Sequence, residues 1–409
     1  MKQIGLNTIK AQNIKLLFDI IVNNDKITRN DAARLSNLSL MTVCNIVDHL
    51  DRFGIIHHVD KEQANTVGRK AELLSINKDI KRFIIIDLTS LEFSFTILNL
   101  DLTIHNTFKE WRYNFERNYT DNLEDFLLIT DKYINTHFPV DETISIGVVV
   151  PGPYDVENDI VINKRIPELM QLNIKSIISE TLIRGKYIED DTLEDNILET
   201  NILEDYILDI FIDEDVKFAA QANITTIPDY TGKIIYYAYI GEGVGGAISV
   251  NGSILRGLFS FAGDIGQVLA DENTCFEELI SLKAFAREVA GNDNITGSDE
   301  DIMKMLEDYQ ADTDNFHDFR RRLMDFCKRI SSALYNVIWF IDPHAIIIEC
   351  RYAGLDHDFF IEGIKTMLTQ MLLPIRQDIP EIFLSNHIVK NAHVGAGILL
   401  RNRWLKSIS

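Results

Sequence analysis

Apolar positions in the first sixty residues fall into two short helical registers separated by a polar break. Arg29–Leu35 places Ala32, Ala33 and Leu35 on one face, Asn37 supplies a turn, and Ser39 caps a second helix. In that helix Val43, Ile46, Val47 and Leu50 recur at helical spacing, which leaves Leu40, Met41, Thr42, Cys44 and Asn45 free to face a major groove. Gly54 closes the helix, Ile55–Val59 predicts a strand, and Asn65–Lys70 predicts a hairpin tip carrying Arg69 and Lys70 towards phosphates. Helices, strand and basic tip in this order predict a winged helix-turn-helix over residues 1–78, with three helices and a hairpin, built to hold a DNA duplex. The expected DNA contacts are Arg29, Ser39, Met41, Thr42 and Asn45, with Arg69 and Lys70 at the backbone.

Beyond residue 80 the pattern becomes that of an α/β body. Arg82–Leu100 gives two β-rich runs broken at Thr89–Glu92, and Leu102–Trp111 adds a third strand. Leu123–Phe138 reads as an amphipathic helix and Ser145–Val150 as a buried strand, ended by Pro151-Gly152-Pro153 where ligands of open α/β sheets usually sit. A helix at Ile174–Leu182 follows. Strands at Ile234–Ile240 and Ala247–Val250, with a glycine-rich turn between them, repeat the opening pattern, and Ala345–Glu349 supplies a further strand. Two similar halves are implied, over residues 79–210 and 211–409. Phe319–Ile341 reads as a buried helix with Leu323, Phe326, Cys327, Ile330, Ala333, Leu334, Val337 and Ile338 on one face, and Gly395-Ala396-Gly397 is expected to open a final helix.

Charge sharpens this division. The 409-residue chain carries a net charge of −22, yet residues 1–80 hold 11 Lys and Arg against 9 Asp and Glu. The acidity therefore lies in the body, whose repulsion from phosphates leaves the N-terminal unit to make a salt-sensitive contact. Cys44, Cys275, Cys327 and Cys350 are far apart and form no CxxC pair, which fits a reducing cytoplasm. MKQIGLNTIK has no signal-peptide core and no run reaches membrane-spanning length, so no membrane partner is expected. Three tandem pentads, beginning at Asp195, Thr200 and Asp205, fit neither helical nor strand periodicity and predict an exposed acidic insertion near 188–210. The ten histidines form no ligand or nucleophile pattern.

Several motifs together resemble the ROK proteins (repressor, open reading frame, kinase), a family of sugar kinases and sugar-responsive repressors. In order they are GRKAELLSIN at 68–77, GVVVPGPYD at 147–155, DEDVKFAAQAN at 213–223, YIGEGVGGAISVNGSILRG at 239–257, AGDIGQV at 262–268 and CFEELISLKAF at 275–285. The resemblance covers nearly the whole chain and implies an actin-like (ribonuclease H-like) two-lobed sugar kinase fold behind the DNA-binding head. Asp215 matches the family's catalytic base, which a repressor uses to accept a hydrogen bond from a sugar hydroxyl. By the same resemblance Glu214, Gly245, Gly246, Asp264, Gln267 and Glu277 fall at the ligand site.

Departures from the family pattern separate regulator from kinase. A kinase of this kind opens its first hairpin with Asp and a glycine-rich turn, where this chain reads Asp87-Leu88-Thr89-Ser90-Leu91-Glu92. The later glycine pair near the adenosine is replaced by Glu349-Cys350-Arg351. Phosphoryl transfer rests on positioning and charge neutralisation, so losing both cradles argues against catalysis. Lys217 stands where Asn is common, Asp264 and Gln267 replace Glu and a zinc-binding His, and of the family's cysteine cluster only Cys275 remains, so neither zinc nor a cofactor is expected. The expected protein is a DNA-binding regulator of carbohydrate-related genes. It works on an operator as a homodimer or homotetramer, and a sugar or sugar derivative between its lobes changes operator affinity. A regulator that has lost its ligand and an ATP-dependent sugar kinase are the alternatives.

Overall fold

The computed structural model describes residues 6–59, 72–137, 145–163, 166–188, 209–227, 230–373, 375–376, 378–385 and 391–409. The wing tip with Arg69 and Lys70, and the pentad insertion up to residue 208, lie outside the described residues. The chain divides into two compact units, one of Met1–Val149, Leu172–Ile212 and Ala396–Ser409, the other of Val150–Gln171 and Asp213–Gly395.

The first unit begins with three helices, α1 (Leu6–Asn23), α2 (Arg29–Ser36) and α3 (Leu40–Arg52), and the antiparallel strands β1 (Ile56–Val59) and β2 (Leu73–Ile76). Local chemistry sets each boundary. The Thr28 hydroxyl caps α2, Asn37 ends it in the left-handed region at φ 55°, and the Ser39 hydroxyl caps α3 by accepting from the Thr42 amide. Ile14, Leu17, Phe18, Ala32, Val43, Ile46, Val47, Leu50 and Leu74 are buried together as the core of this head.

Behind the head stands a five-stranded sheet in the order β5-β4-β3-β6-β9. Its strands are β3 (Arg82–Asp87), β4 (Ser94–Asn99), β5 (Ile104–Phe108), β6 (Ser145–Val150) and β9 (Asp209–Glu214). β3 pairs antiparallel with β4 and parallel with β6. The helices are α4 (Tyr119–His137) and α5 (Ile174–Ile188); the short antiparallel pair β7 (Tyr154–Asp155) and β8 (Ile160–Val161), between them in sequence, belongs to the second unit.

In the second unit the helix α6 (Asp215–Ile224) leads into a five-stranded sheet of order β12-β11-β10-β13-β14. These strands are β10 (Ile234–Ile240), β11 (Val244–Val250), β12 (Ser253–Leu255), β13 (Ala345–Cys350) and β14 (Glu381–Leu384). As in the first sheet, an antiparallel hairpin is continued by a parallel strand, which matches the expected repeat. The helices α7 (Phe276–Ile280), α8 (Leu282–Ala290), α9 (Asp299–Ala311), α10 (Phe316–Ile341) and α11 (His357–Leu372) join its largest apolar cluster. The predicted face of α10 is buried except for Val337, which is partly exposed.

The last helix, α12 (Asn391–Ser407), begins four residues before Gly395, so the three small residues expected to open it lie inside it. Close packing explains them. A Cβ on Gly395 would meet the Phe218 carbonyl at 1.7 Å, and one on Gly397 would meet Leu98 at 2.6 Å. Further along α12, Arg401 pairs with Asp19 of α1 at 3.2 Å and lies over the Phe18 ring, and His49 of α3 is 2.7 Å from the Ile408 carbonyl.

Candidate functional site

Two groups of residues were singled out by sequence, and they lie in different units. In the head, Met41 is 76 % exposed, Asn45 is exposed, and both stand on α3 opposite its buried stripe. Ser39 and Thr42 are committed to the helix start, because Ser39 Oγ accepts from the Thr42 amide at 3.1 Å and lies 2.8 Å from its hydroxyl. Arg29 is tied back to the protein, with its guanidinium 2.9 Å from Asp48 and 3.9 Å from Glu72. His58 of β1 joins the same polar seam, with its two ring nitrogens at 3.0 Å from Asp51 and 2.9 Å from Glu72. Local pattern does not reveal that seam, since its partners are up to 43 residues apart (Arg29 and Glu72).

The ligand candidates gather at the start of α6 and on the loop after β12. Glu214 is the N-cap residue of α6 and Asp215 its first residue, so their carboxylates sit at the positive end of the helix dipole. Asp215 Oδ1 accepts from the Val216 amide at 2.8 Å. One turn on, Lys217 is 1 % exposed, and its ammonium donates to the Glu214 carboxylate and to the Ser260 carbonyl. Beside them Asp213, also buried, accepts from Arg256 at 2.5 Å. Burial pushes the Glu214 carboxyl up to about 8 even though the Lys217 ammonium beside it favours ionisation.

The loop from Arg256 to Gln267 carries the remaining acceptors. Asp264 accepts from the Gly266 amide at 3.0 Å, while burial, with the Glu277 charge adding to it, raises its carboxyl above the ordinary range. Gln267 is exposed. Glu277 is only half-buried, and one of its oxygens accepts from the Val244 amide at 3.0 Å, which ties α7 to β11. The Lys217 charge acts on both Glu214 and Asp264, Glu277 acts on Asp264, and Asp215 acts on Glu214.

Gly245 and Gly246 are closely packed where a side chain would stand. A Cβ on Gly245 would approach Val216 at 3.1 Å, and one on Gly246 would collide with the Tyr236 hydroxyl at 2.2 Å and the Gly263 carbonyl at 2.5 Å. The bare backbone of Gly246 therefore lets Tyr236 donate to the Gly263 carbonyl at 2.8 Å, which seats the residue before Asp264.

A second buried polar cluster went unnoticed in the sequence. Glu349 of β13 accepts from Tyr237 Oη at 2.6 Å and Asn391 Nδ2 at 2.8 Å, with Asn223 at 3.4 Å and Ser385 at 3.3 Å. The position was marked as a departure, but its partners come from four separate elements of the sequence. Among the described residues, no three or more His, Cys, Asp or Glu side chains are grouped to hold a metal ion, and no helix is long and apolar enough to cross a membrane.

Comparison with known proteins fits this architecture. The chain is 23 % identical over 377 residues to the xylose repressor of Bacillus spizizenii, covering 90 % of this chain and 88 % of that one. It is 21 % identical over 273 residues to the N-acetyl-D-glucosamine kinase of Pectobacterium carotovorum, covering 62 % and 79 %. Among solved structures, a ROK family transcriptional regulator, homolog of the E. coli MLC protein, superposes with a TM-score of 0.67 at 18 % identity over 98 % of this chain and 97 % of that one. The ROK family model matches residues 86–403. The chain belongs to the ROK family.

Proposed function

We propose that this protein is a DNA-binding transcriptional repressor whose operator affinity is set by a sugar or sugar derivative, and that its body performs no catalysis. The observation that carries the reading is the span of the likeness. The xylose repressor matches 90 % of the chain, whereas the N-acetyl-D-glucosamine kinase matches 62 %. The exposed Met41 and Asn45 on α3 supply the face such a head needs, and Arg69 and Lys70 complete the expected contact with the phosphates. In the body, Asp215, Asp264 and the Glu214 carboxyl offer acceptors to sugar hydroxyls.

The non-catalytic reading is supported at three places where a nucleotide would need donors. The first hairpin turn has no glycine, the second carries Glu242 between Gly241 and Gly243, and Glu349 places a buried carboxylate at the end of β13. Each adds an acceptor or removes an approach for an anion. A homodimer or homotetramer on a pseudo-palindromic operator would convert ligand-dependent closure into altered spacing of paired recognition helices.

Fluorescence anisotropy with duplexes from the DNA upstream of the protein's own coding region tests this reading. The expected result is salt-dependent binding that exceeds binding to unrelated duplex by about a thousandfold or more, and release by D-xylose or another member of a sugar panel. Equal affinity for both duplexes defeats the repressor reading. ATP turnover on that panel that is lost in Asp215→Asn defeats the non-catalytic one.

A further inference from the structure

Between Arg256 and Ala262 the chain turns back on itself, closed by a hydrogen bond from the Ala262 amide to the Arg256 carbonyl at 3.1 Å. Three large apolar side chains on this turn face outward, with Leu258 81 %, Phe259 50 % and Phe261 44 % exposed. Ser260 is held at a φ of 59°, a region that non-glycine residues rarely occupy. A loop with its apolar groups in solvent and a strained residue at its tip has little hydrophobic anchorage, so polar contacts must hold it. Two charged contacts do so, Arg256 to Asp213 at its base and Lys217 to the Ser260 carbonyl at its tip. The first is one-third exposed on the arginine side, while the second is sealed from water.

Burying a lysine is costly unless its ammonium is fully partnered, and here the partners come from both sides of the candidate site. Glu214 belongs to the start of α6, and Ser260 to the loop that carries Asp264. We propose that Lys217 is the positioning residue of the ligand site, its ammonium pinning the 256–267 loop to the start of α6 and so fixing Asp264 relative to Glu214 and Asp215. The functional part of the inference rests on reading this cluster as the ligand site; the pinning itself does not.

Hydrogen exchange read by mass spectrometry on the full chain tests the pinning without any ligand. In Lys217→Met, amides of residues 256–267 are expected to exchange about tenfold faster or more, while those of α10 keep wild-type rates. The paired variant Glu214→Gln with Lys217→Met removes both buried ionisable groups and answers the case in which the single variant fails to fold. If Lys217 served only as a partner for the Glu214 carboxyl, loop protection would return in the paired variant. If it positions the loop, stability returns and the loop stays fast. Wild-type loop rates in either variant overturn the proposal. Where D-xylose binds the wild type in calorimetry, the paired variant is expected to bind it about tenfold more weakly or worse, and unchanged affinity would separate the pinning from ligand recognition and overturn that part. A sugar panel that never binds the wild type sinks the repressor's effector, and with it the functional half, while the exchange result still decides the pinning.

Discussion

The hairpins that open the two sheets share a topology and differ in how their turns are closed. Between β3 and β4, Asp87 Oδ1 accepts from both the amide and the hydroxyl of Thr89, at 3.1 and 2.6 Å, and Ser90 Oγ accepts from the Glu92 amide at 3.1 Å. None of residues 87–93 adopts a left-handed φ, so this turn has no need of glycine. Between β10 and β11 the closing bond is from the Gly241 amide to the Gly243 carbonyl, and Gly245 and Gly246 follow, pressed against Val216, Tyr236 and the Gly263 carbonyl. One turn spends its amides on its own side chains. The other uses bare backbone to seat the loop that bears Asp264. Glycines that a phosphate-binding reading would claim are thus accounted for by packing, which is why their survival is no argument for a kinase.

The strongest test of this contrast is Gly246→Ala. The new Cβ would lie 2.5 Å from a backbone carbonyl, so the expected loss is about 1–3 kcal/mol in urea unfolding; an unchanged midpoint would show that the second turn has room the packing denies. Next comes the carboxyl at the head of α6. Glu214 sits near 8 in the folded protein against an ordinary 4.5, raised by burial and by Asp213 and Asp215, with Lys217 opposing. The folded state therefore holds a proton that the unfolded state releases between these values. Stability should fall as pH rises from about 5 to about 8, by about 1–2 kcal/mol given the coupled lysine. Glu214→Gln should flatten that slope, and a variant with the wild-type slope would assign it to other groups. The smallest effect is expected at the first turn, where Asp87→Ala removes two acceptor contacts at a cost of about 1 kcal/mol. A much larger loss there would mean that the first turn bears on its sheet as heavily as the second.

Much of this fold was legible from local pattern. Thr28, Asn37, Ser39 and Gly54 mark the head helices with the residues that end helices for stereochemical reasons, and both hairpins showed as paired β-rich runs broken by a turn. The short strands β7, β8, β12 and β14, of two to four residues, carry too little periodicity to be read. Helix α1 was not delimited by the sequence, and α4 begins at Tyr119 rather than Leu123. The site was legible only in part. Lys217 links Glu214, beside Asp215, to the loop that bears Asp264, but the partners of Lys217 and Glu349 lie up to 43 and 126 residues away, where no local signal reaches. Glu277 shows the opposite difficulty. Its position suggested a ligand contact, yet one of its oxygens is occupied by a backbone amide.

The last turn of α12 has a practical consequence. With His49 of α3 against the Ile408 carbonyl and Arg401 over the Phe18 ring, the last turns of α12 and the residue after it abut the three-helix head whose α3 is expected to enter the groove. On the proposed DNA-binding reading, a bulky label placed on the last turn of α12 would stand beside that helix and crowd a bound duplex. Labels for studying operator occupancy therefore belong elsewhere on the molecule.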